Sequence, residues 1–222
     1  MSWFAQAIIA GLTSFVATNI DDIVILMLFF AQINTTFRPK HIVAGQYLGF
    51  TALIVASLPG FFGGLILPKA WIGLLGFVPI AIGIKHLLNR ENDENEVQAI
   101  SSEVNDSKER LPMSTLASLL APQTYHVAAV TFANGGDNIG IYVPLFASSN
   151  WASLGVILSI FLVMIGVWCY IAYQLTRHPS VAHLLTRYGQ KIVPFVLIGL
   201  GFFIIIESGT YKLLTSLQSS HF

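Results

Sequence analysis

The chain has 222 residues, of which 55% are hydrophobic and 10% are charged, and its 11 basic residues balance its 11 acidic residues. Soluble domains carry about 25% charged residues, so this chain has too few polar side chains to cover a surface that faces water. A net charge of zero also offers no basic surface to a nucleic acid. The composition therefore argues against a soluble enzyme, a disordered tail and a nucleic-acid binder, and it predicts a membrane protein.

Apolar runs long enough to cross a bilayer recur along the chain. Six are predicted to be transmembrane segments, at about residues 3–33, 42–67, 70–88, 115–146, 154–175 and 192–214. A polar stretch, 89–112, separates the third from the fourth, holds seven of the eleven acidic residues and is expected to be a solvated cytoplasmic loop. The N-terminus lacks the basic region of a cleaved signal and is predicted to begin the first span.

The basic residues predict the orientation. When the loops are assigned to alternate sides of six spans, nine basic residues fall on one side: Arg38, Lys40, Lys85, Arg90, Lys108, Arg110, Arg177, Arg187 and Lys191. The other side receives Lys69 and Lys212. The positive-inside rule places the nine in the cytoplasm, so both termini are expected outside it.

The chain also contains a candidate internal repeat. A shift of 116 residues places Asp21 on Asp137 and Asp22 on Asn138, within two otherwise apolar segments. Each half holds three predicted spans, and an odd number means that the second half enters the membrane from the opposite face. We therefore expect one membrane transport domain over residues 1–222, with inverted repeats at about 1–88 and 113–222. A chance similarity of two hydrophobic helices is the alternative.

The first and fourth segments are each interrupted by polar residues. Both are about 30 residues long, which exceeds the roughly 20 residues that span a bilayer. Their interruptions, Thr18–Asp22 and Asn134–Asn138, hold Asn, Asp and Gly residues that weaken a helix. An all-α fold is thus predicted in which the first and fourth helices are broken near the midplane, where half-helix ends and free carbonyl groups can coordinate cations.

The acids in these interruptions are the candidate metal ligands. Each buried Asp costs about 2.5–3.5 kcal/mol on insertion scales, and neither interruption contains a Lys or Arg that could neutralise it. Either some of the acids are protonated or a cation lies between them. An oxygen-rich set of this kind suits a divalent cation. The predicted ligands are the carboxylates of Asp21, Asp22 and Asp137 and the amides of Asn19, Asn134 and Asn138. The alternative for each is a helix cap in the break.

Several other polar or soft residues lie in apolar runs. Glu207 is a candidate proton-linked site or a structural residue at the outer interface. Gln46 and His126 are candidates for the pathway, although hydrogen-bonded packing is the simpler interpretation of each. Cys169 and Met27 could supply sulfur to a soft metal, but single residues of these types usually serve packing.

The two interruptions also carry a family resemblance. The segments Ala17–Ile23 and Phe132–Tyr142, with the closing Ile206–Thr210, resemble the CadD-type cadmium-resistance transporters of the lysine-exporter superfamily. The resemblance implies six helices in two three-helix halves and export of Cd²⁺ or a related divalent metal across the bacterial cell membrane. It also implies that the three acids and three amides named above form the ion site. Cadmium favours sulfur whereas these ligands offer oxygen, so Mn²⁺ and Ca²⁺ remain alternatives.

The leading hypothesis is a secondary transporter that exports a divalent cation in exchange for protons, because the chain contains no nucleotide-binding loop. We expect no enzymatic activity and no resident cofactor, and the expected partners are the cation and the lipid bilayer. Homo-oligomerisation is left open. One alternative is an exporter of an organic cation or amino acid. Another is an intramembrane aspartyl protease, which is disfavoured because Asn134 replaces the first glycine of its Gly-x-Gly-Asp motif.

Overall fold

The computed structural model describes residues 2–88 and 121–210, and all regular structure within these two ranges is helical. The elements in chain order are α1 (Trp3–Asn19), α2 (Asp22–Ala31), α3 (Pro39–Ile66), α4 (Lys69–Ile72), a 3-10 turn (Gly73–Gly76), α5 (Phe77–Leu88), α6 (Pro122–Asn134), α7 (Gly136–Ala147), α8 (Trp151–Leu175) and α9 (Pro179–Glu207). The predicted all-α class is confirmed. The predicted acidic loop at 89–112 lies outside the described residues.

Two of these helices, α3 and α8, are long and apolar enough to cross a membrane by length and composition. The pair α1 and α2 would make a third span if the two are counted together. The described residues thus contain two or three candidate spans, and the predicted number of six is not established by them. The third predicted segment is divided into α4, the 3-10 turn and α5, and the last helix, α9, begins before the predicted start near residue 192.

Both predicted interruptions are present as helix breaks. The helix α1 ends at Asn19, α2 begins at Asp22, and the two axes are bent by 60°. In the second half, Gly135 stands between the end of α6 and the start of α7. A Cβ atom at Gly135 would collide with the side chain of Leu53 on α3, so glycine permits the close approach of α3 at this break.

The helices of the two halves pack across each other. The broken pair α1–α2 lies against α8, and the broken pair α6–α7 lies against α3. The remaining long contact joins α5 to α9. Aromatic rings fill the centre where these pairs meet, with the Phe15 ring 5.3 Å from that of Phe50 and the Phe161 ring 4.8 Å from that of Tyr142. This packing holds the two helix breaks beside one another.

Small residues on α3 let the halves approach closely. An ideal Cβ atom built at Gly45 would lie 2.6 Å from the Cβ atom of Val127, and one at Gly60 would lie 2.5 Å from the carbonyl oxygen of Val143. In membranes, helices associate mainly through close van der Waals contact, so small residues mark the contact face. The outer surface carries large exposed apolar side chains such as Val55, Val163 and Phe195, as expected for contact with lipid.

Candidate metal site

A buried carboxylate links the two helix breaks. Asp22 opens α2, and its side-chain oxygen Oδ1 accepts a hydrogen bond of 2.6 Å from Asn134 Nδ2 at the end of α6. Its second oxygen, Oδ2, accepts a longer bond of 3.4 Å from Gln46 Nε2 on α3. The residue is only 5% exposed. A buried charge of this kind needs hydrogen-bond partners, and here both described partners are neutral amides.

The amide of Gln46 is itself held in one orientation. Thr131 Oγ1 on α6 donates a hydrogen bond of 2.6 Å to Gln46 Oε1. Because the oxygen of the amide is thereby directed toward Thr131, its N–H₂ group is directed toward Asp22. Both Gln46 and Thr131 are buried. This network of four side chains, Asp22, Asn134, Gln46 and Thr131, joins α2, α3 and α6.

A second polar cluster lies at the end of α1, where Asn19 is 1% exposed. Asn19 Nδ2 donates to the carbonyl oxygen of Phe15 at 2.7 Å, to Thr18 Oγ1 at 2.8 Å and to Tyr142 Oη at 3.1 Å. The Thr18 and Tyr142 hydroxyl oxygens are themselves 2.7 Å apart. Since Tyr142 belongs to α7, this cluster joins the first break to the helix that follows the second break.

The oxygen of the same amide is exceptional. Asn19 Oδ1 is buried and has no hydrogen-bond partner among the described residues. Leaving a buried acceptor unpaired costs about 1–3 kcal/mol, so such an atom calls for an explanation. One explanation is that this oxygen coordinates a cation, because amide oxygens are suitable ligands for hard and borderline divalent cations.

The remaining predicted site residues occupy different environments. Asp21 is half-buried at the N-cap position of α2, where its side chain makes no capping hydrogen bond. Asp137 is exposed in the first turn of α7, and Asn138 beside it is buried. Glu207 is exposed at the end of α9. The structure therefore buries Asn19, Asp22 and Asn138 at the breaks and leaves Asp21 and Asn134 half-buried. Asp137 and Glu207 are exposed.

The acids at the breaks are electrostatically linked although they do not form a closed cage. Asp22 is within Coulombic range of Asp21 and Asp137, and Asp137 is within range of His86 on α5. Across residues 2–88 and 121–210, no three His, Cys, Asp or Glu side chains are grouped closely enough to hold a metal. A metal at this place would thus depend on amide oxygens as well as carboxylates, or on a rearrangement of the acids around it.

Sequence reasoning missed several residues that hold the site. Thr131 and Trp168 were not predicted, and nothing in their local sequence distinguishes them from ordinary helix residues. Thr18 opens the first predicted interruption but was not named as a site residue. Gln46 was named only as a pathway candidate or packing residue, on the signal of a polar side chain in an apolar run. Tyr142 stands in the second hallmark segment, but its hydroxyl contact with α1 depends on tertiary packing.

The indole of Trp168 supports the first break. Its Nε1 donates a hydrogen bond of 2.6 Å to the backbone carbonyl oxygen of Asn19, which the interrupted helix leaves without its usual partner. Its ring also packs edge-on against Phe15, with centroids 5.4 Å apart. A side chain on α8 thus satisfies the end of α1.

We expect Trp168→Phe to lower the free energy of unfolding by about 0.5–1.5 kcal/mol through the lost hydrogen bond, with a further loss from the smaller ring. The measurement is the thermal melting of the detergent-purified protein. Trp71→Phe is the matched control, because Trp71 is exposed. Equal melting temperatures for the two variants would contradict the capping role of Trp168.

The apolar helices, with a polar network between the broken ones, are those of an α-helical membrane protein. The chain belongs to the Cad family, described as cadmium resistance transporter, whose model matches residues 15–217. The family is one of transporters and not of enzymes. This confirms the prediction that the chain is not an enzyme and removes the intramembrane-protease alternative. No curated protein and no solved structure matches the chain significantly.

Proposed function

We propose that this protein is a secondary transporter that exports a divalent metal cation, with Cd²⁺ as the first candidate, from the cytoplasm. The observation that carries the proposal is the buried carboxylate of Asp22, held by neutral amides where the two halves meet. Burying a carboxylate in a membrane costs about 2.5–3.5 kcal/mol on insertion scales, and a bound cation would offset that cost. The description of the family supports a metal cargo.

The proposed architecture is a single transport domain of six transmembrane helices in two inverted repeats. The packing supports this arrangement, because the broken helix pair of each half lies against the long helix of the other half. The third elements, α5 and α9, pack against each other, as a two-fold relation requires. Inverted repeats of this kind bind their substrate near the midplane, between the repeats. The nine basic residues on one side favour a bacterial cell membrane location with both termini outside the cytoplasm.

The proposed ligands come from both breaks. They are the carboxylates of Asp21, Asp22 and Asp137 and the amide oxygens of Asn19, Asn134 and Asn138. Asn134 donates an N–H to Asp22, and an N–H cannot bind a cation, so its amide would have to turn before its oxygen could become a ligand. Asp137 would have to turn inward from its exposed position. On this proposal the cation selects a conformation that gathers the ligands around it.

Proton exchange follows from the chemistry of these ligands. A carboxylate binds metal only in its deprotonated form, so metal binding releases protons and protonation releases metal. Protons that reach Asp22 and its neighbours from outside would therefore expel the cation, and the inward proton gradient would drive export. Glu207, at the end of α9, is the proposed second proton-linked group.

The proposal is tested with full-length protein in proteoliposomes that contain a fluorescent Cd²⁺ indicator. With the membrane potential clamped, we expect Cd²⁺ to enter faster when the lumen is more acidic than the medium, in vesicles whose protein is oriented inside-out. Equal rates with and without the pH gradient would contradict proton coupling. Radiolabelled lysine replaces Cd²⁺ in a parallel uptake assay, and transport of lysine without transport of Cd²⁺ would favour the organic-cation alternative.

A further inference from the structure

We propose that Tyr142 and Thr18 are positioning residues that fix the side-chain amide of Asn19 so that its oxygen, Oδ1, ligates the transported cation. This inference rests on the proposed function and deepens it. It assigns a role to two hydroxyl groups, one on each side of the boundary between the halves. The argument depends on which end of the Asn19 amide is already occupied.

The nitrogen end of that amide is fully used. It carries two hydrogens, and three acceptors lie within 3.1 Å: the carbonyl oxygen of Phe15, Thr18 Oγ1 and Tyr142 Oη. If the amide were rotated by half a turn, its oxygen would lie 2.7 Å from the carbonyl oxygen of Phe15, and two acceptors would face each other. The orientation with Nδ2 toward Phe15 is therefore strongly favoured.

The two hydroxyl groups complete this orientation. Thr18 Oγ1 donates to the carbonyl oxygen of Ser14 at 2.9 Å, and the Tyr142 hydroxyl, 2.7 Å from Thr18 Oγ1, can donate to it in turn. Both hydroxyl protons are then directed away from Asn19, and both oxygens are left to accept from Nδ2. Each hydroxyl thus acts toward Asn19 as an acceptor, which selects the N–H₂ end of the amide.

The consequence is that the oxygen end is the one left over. Asn19 Oδ1 is buried without a hydrogen-bond partner among the described residues, and the residue as a whole is only 1% exposed. The same residue ends α1 at the break, three positions before the buried carboxylate of Asp22. A fixed, unpaired amide oxygen on a residue three positions before a buried carboxylate is a ligand prepared in advance for a divalent cation.

Tyr142 is suited to this role because its ring and its hydroxyl act separately. The ring is fully buried and packs against Phe50, Phe146 and Phe161, so Tyr142→Phe keeps the packing and removes only the hydroxyl group. Partners that orient a metal ligand change metal affinity by about 10- to 100-fold when they are removed. We therefore expect Tyr142→Phe to raise the dissociation constant for Cd²⁺ by about tenfold or more.

The test is a double-mutant cycle on the full chain in detergent, with Cd²⁺ binding measured by titration. The variants are Tyr142→Phe, Asn19→Leu, which keeps the shape of the side chain, and the two combined. Tyr170→Phe is the matched control, since its hydroxyl accepts a hydrogen bond from Gln174 away from the site. The expected result is weaker binding for Tyr142→Phe alone and no further weakening when Asn19 is already replaced.

The metal-free melting temperature separates positioning from structure. A purely structural role for the hydroxyl would lower this temperature and leave the dissociation constant as in the Tyr170→Phe control, which would overturn the inference. The inference would also be overturned if Tyr142→Phe weakened Cd²⁺ binding by the same factor in the wild-type protein and in Asn19→Leu. If Asn19→Leu does not fold or binds Cd²⁺ too weakly to measure, Thr18→Val takes its place in the cycle. The inference then predicts that the effects of Tyr142→Phe and Thr18→Val on Cd²⁺ affinity are non-additive. Additive effects would contradict the inference.

The proposed function and this inference fail in distinguishable ways. If the wild-type protein binds none of Cd²⁺, Zn²⁺, Mn²⁺ and Ca²⁺, the metal proposal itself is wrong and the inference falls with it. If the wild type binds Cd²⁺, Asn19→Leu weakens binding and Tyr142→Phe does not, only the positioning role is wrong.

Discussion

Replacing Asp22 by Asn is expected to weaken metal binding strongly while leaving the protein folded. The variant removes the negative charge from the centre of the proposed site but keeps a side chain of nearly the same shape. Loss of one partner from a buried charged pair costs about 2–5 kcal/mol, so the affinity for Cd²⁺ should fall at least about 30-fold. The metal-free protein should be as stable as the wild type or more stable, because a buried carboxylate no longer has to be desolvated.

This prediction is measured by metal-dependent thermal stabilisation. A ligand that binds only the folded state stabilises it by about 2.7 kcal/mol at one hundred times its dissociation constant. Tyr170→Phe is the control, because it removes a polar group from an apolar helix at an exposed position whose described hydrogen bond is to Gln174 on the same helix. A Cd²⁺-dependent shift of wild-type size in Asp22→Asn would remove Asp22 from the site.

The second large effect concerns the packing between the halves. In Gly45→Ala and Gly60→Ala, the new methyl groups would meet Val127 on α6 and the backbone of Val143 on α7. Overpacking of this kind costs about 1–3 kcal/mol at each site. The two sites are far apart along α3, so the double variant should lose about 2–6 kcal/mol and melt at a much lower temperature.

The same helix supplies the control for this pair. Gly63 also lies on α3, but an added Cβ atom there meets nothing within 4 Å. Gly63→Ala should therefore be neutral, or slightly stabilising through its better helix propensity. If Gly63→Ala proved as destabilising as Gly45→Ala, the cause would be the flexibility of α3 and not its contact with the second half.

The broken helices could be predicted from sequence because their signal is local. A polar interruption of five residues in an otherwise apolar run is visible without any tertiary information, and helix breaks occur at both positions. The partners across the breaks could not be predicted. The bond from Asn134 to Asp22 joins residues 112 positions apart, and it depends on how α6 is rotated against α2.

The roles of individual site residues were harder still. Asn134 was predicted as an oxygen ligand, yet it directs its nitrogen to Asp22, because the carboxylate attracts the N–H end of the amide. Asp137 occupies the position in the second repeat that Asp21 occupies in the first, yet Asp137 is exposed and Asp21 is half-buried. A repeat in sequence does not fix which way a side chain points from the first turn after a break.

The most direct test of the central claim is Cd²⁺ flux through the purified protein. Full-length wild type and Asp22→Asn are reconstituted at equal density, and entry of Cd²⁺ into vesicles with an acidic lumen is followed with an internal indicator. We predict a saturable flux with the wild type and flux at the level of protein-free vesicles with Asp22→Asn. The same flux with both proteins, or none with the wild type, would contradict the account.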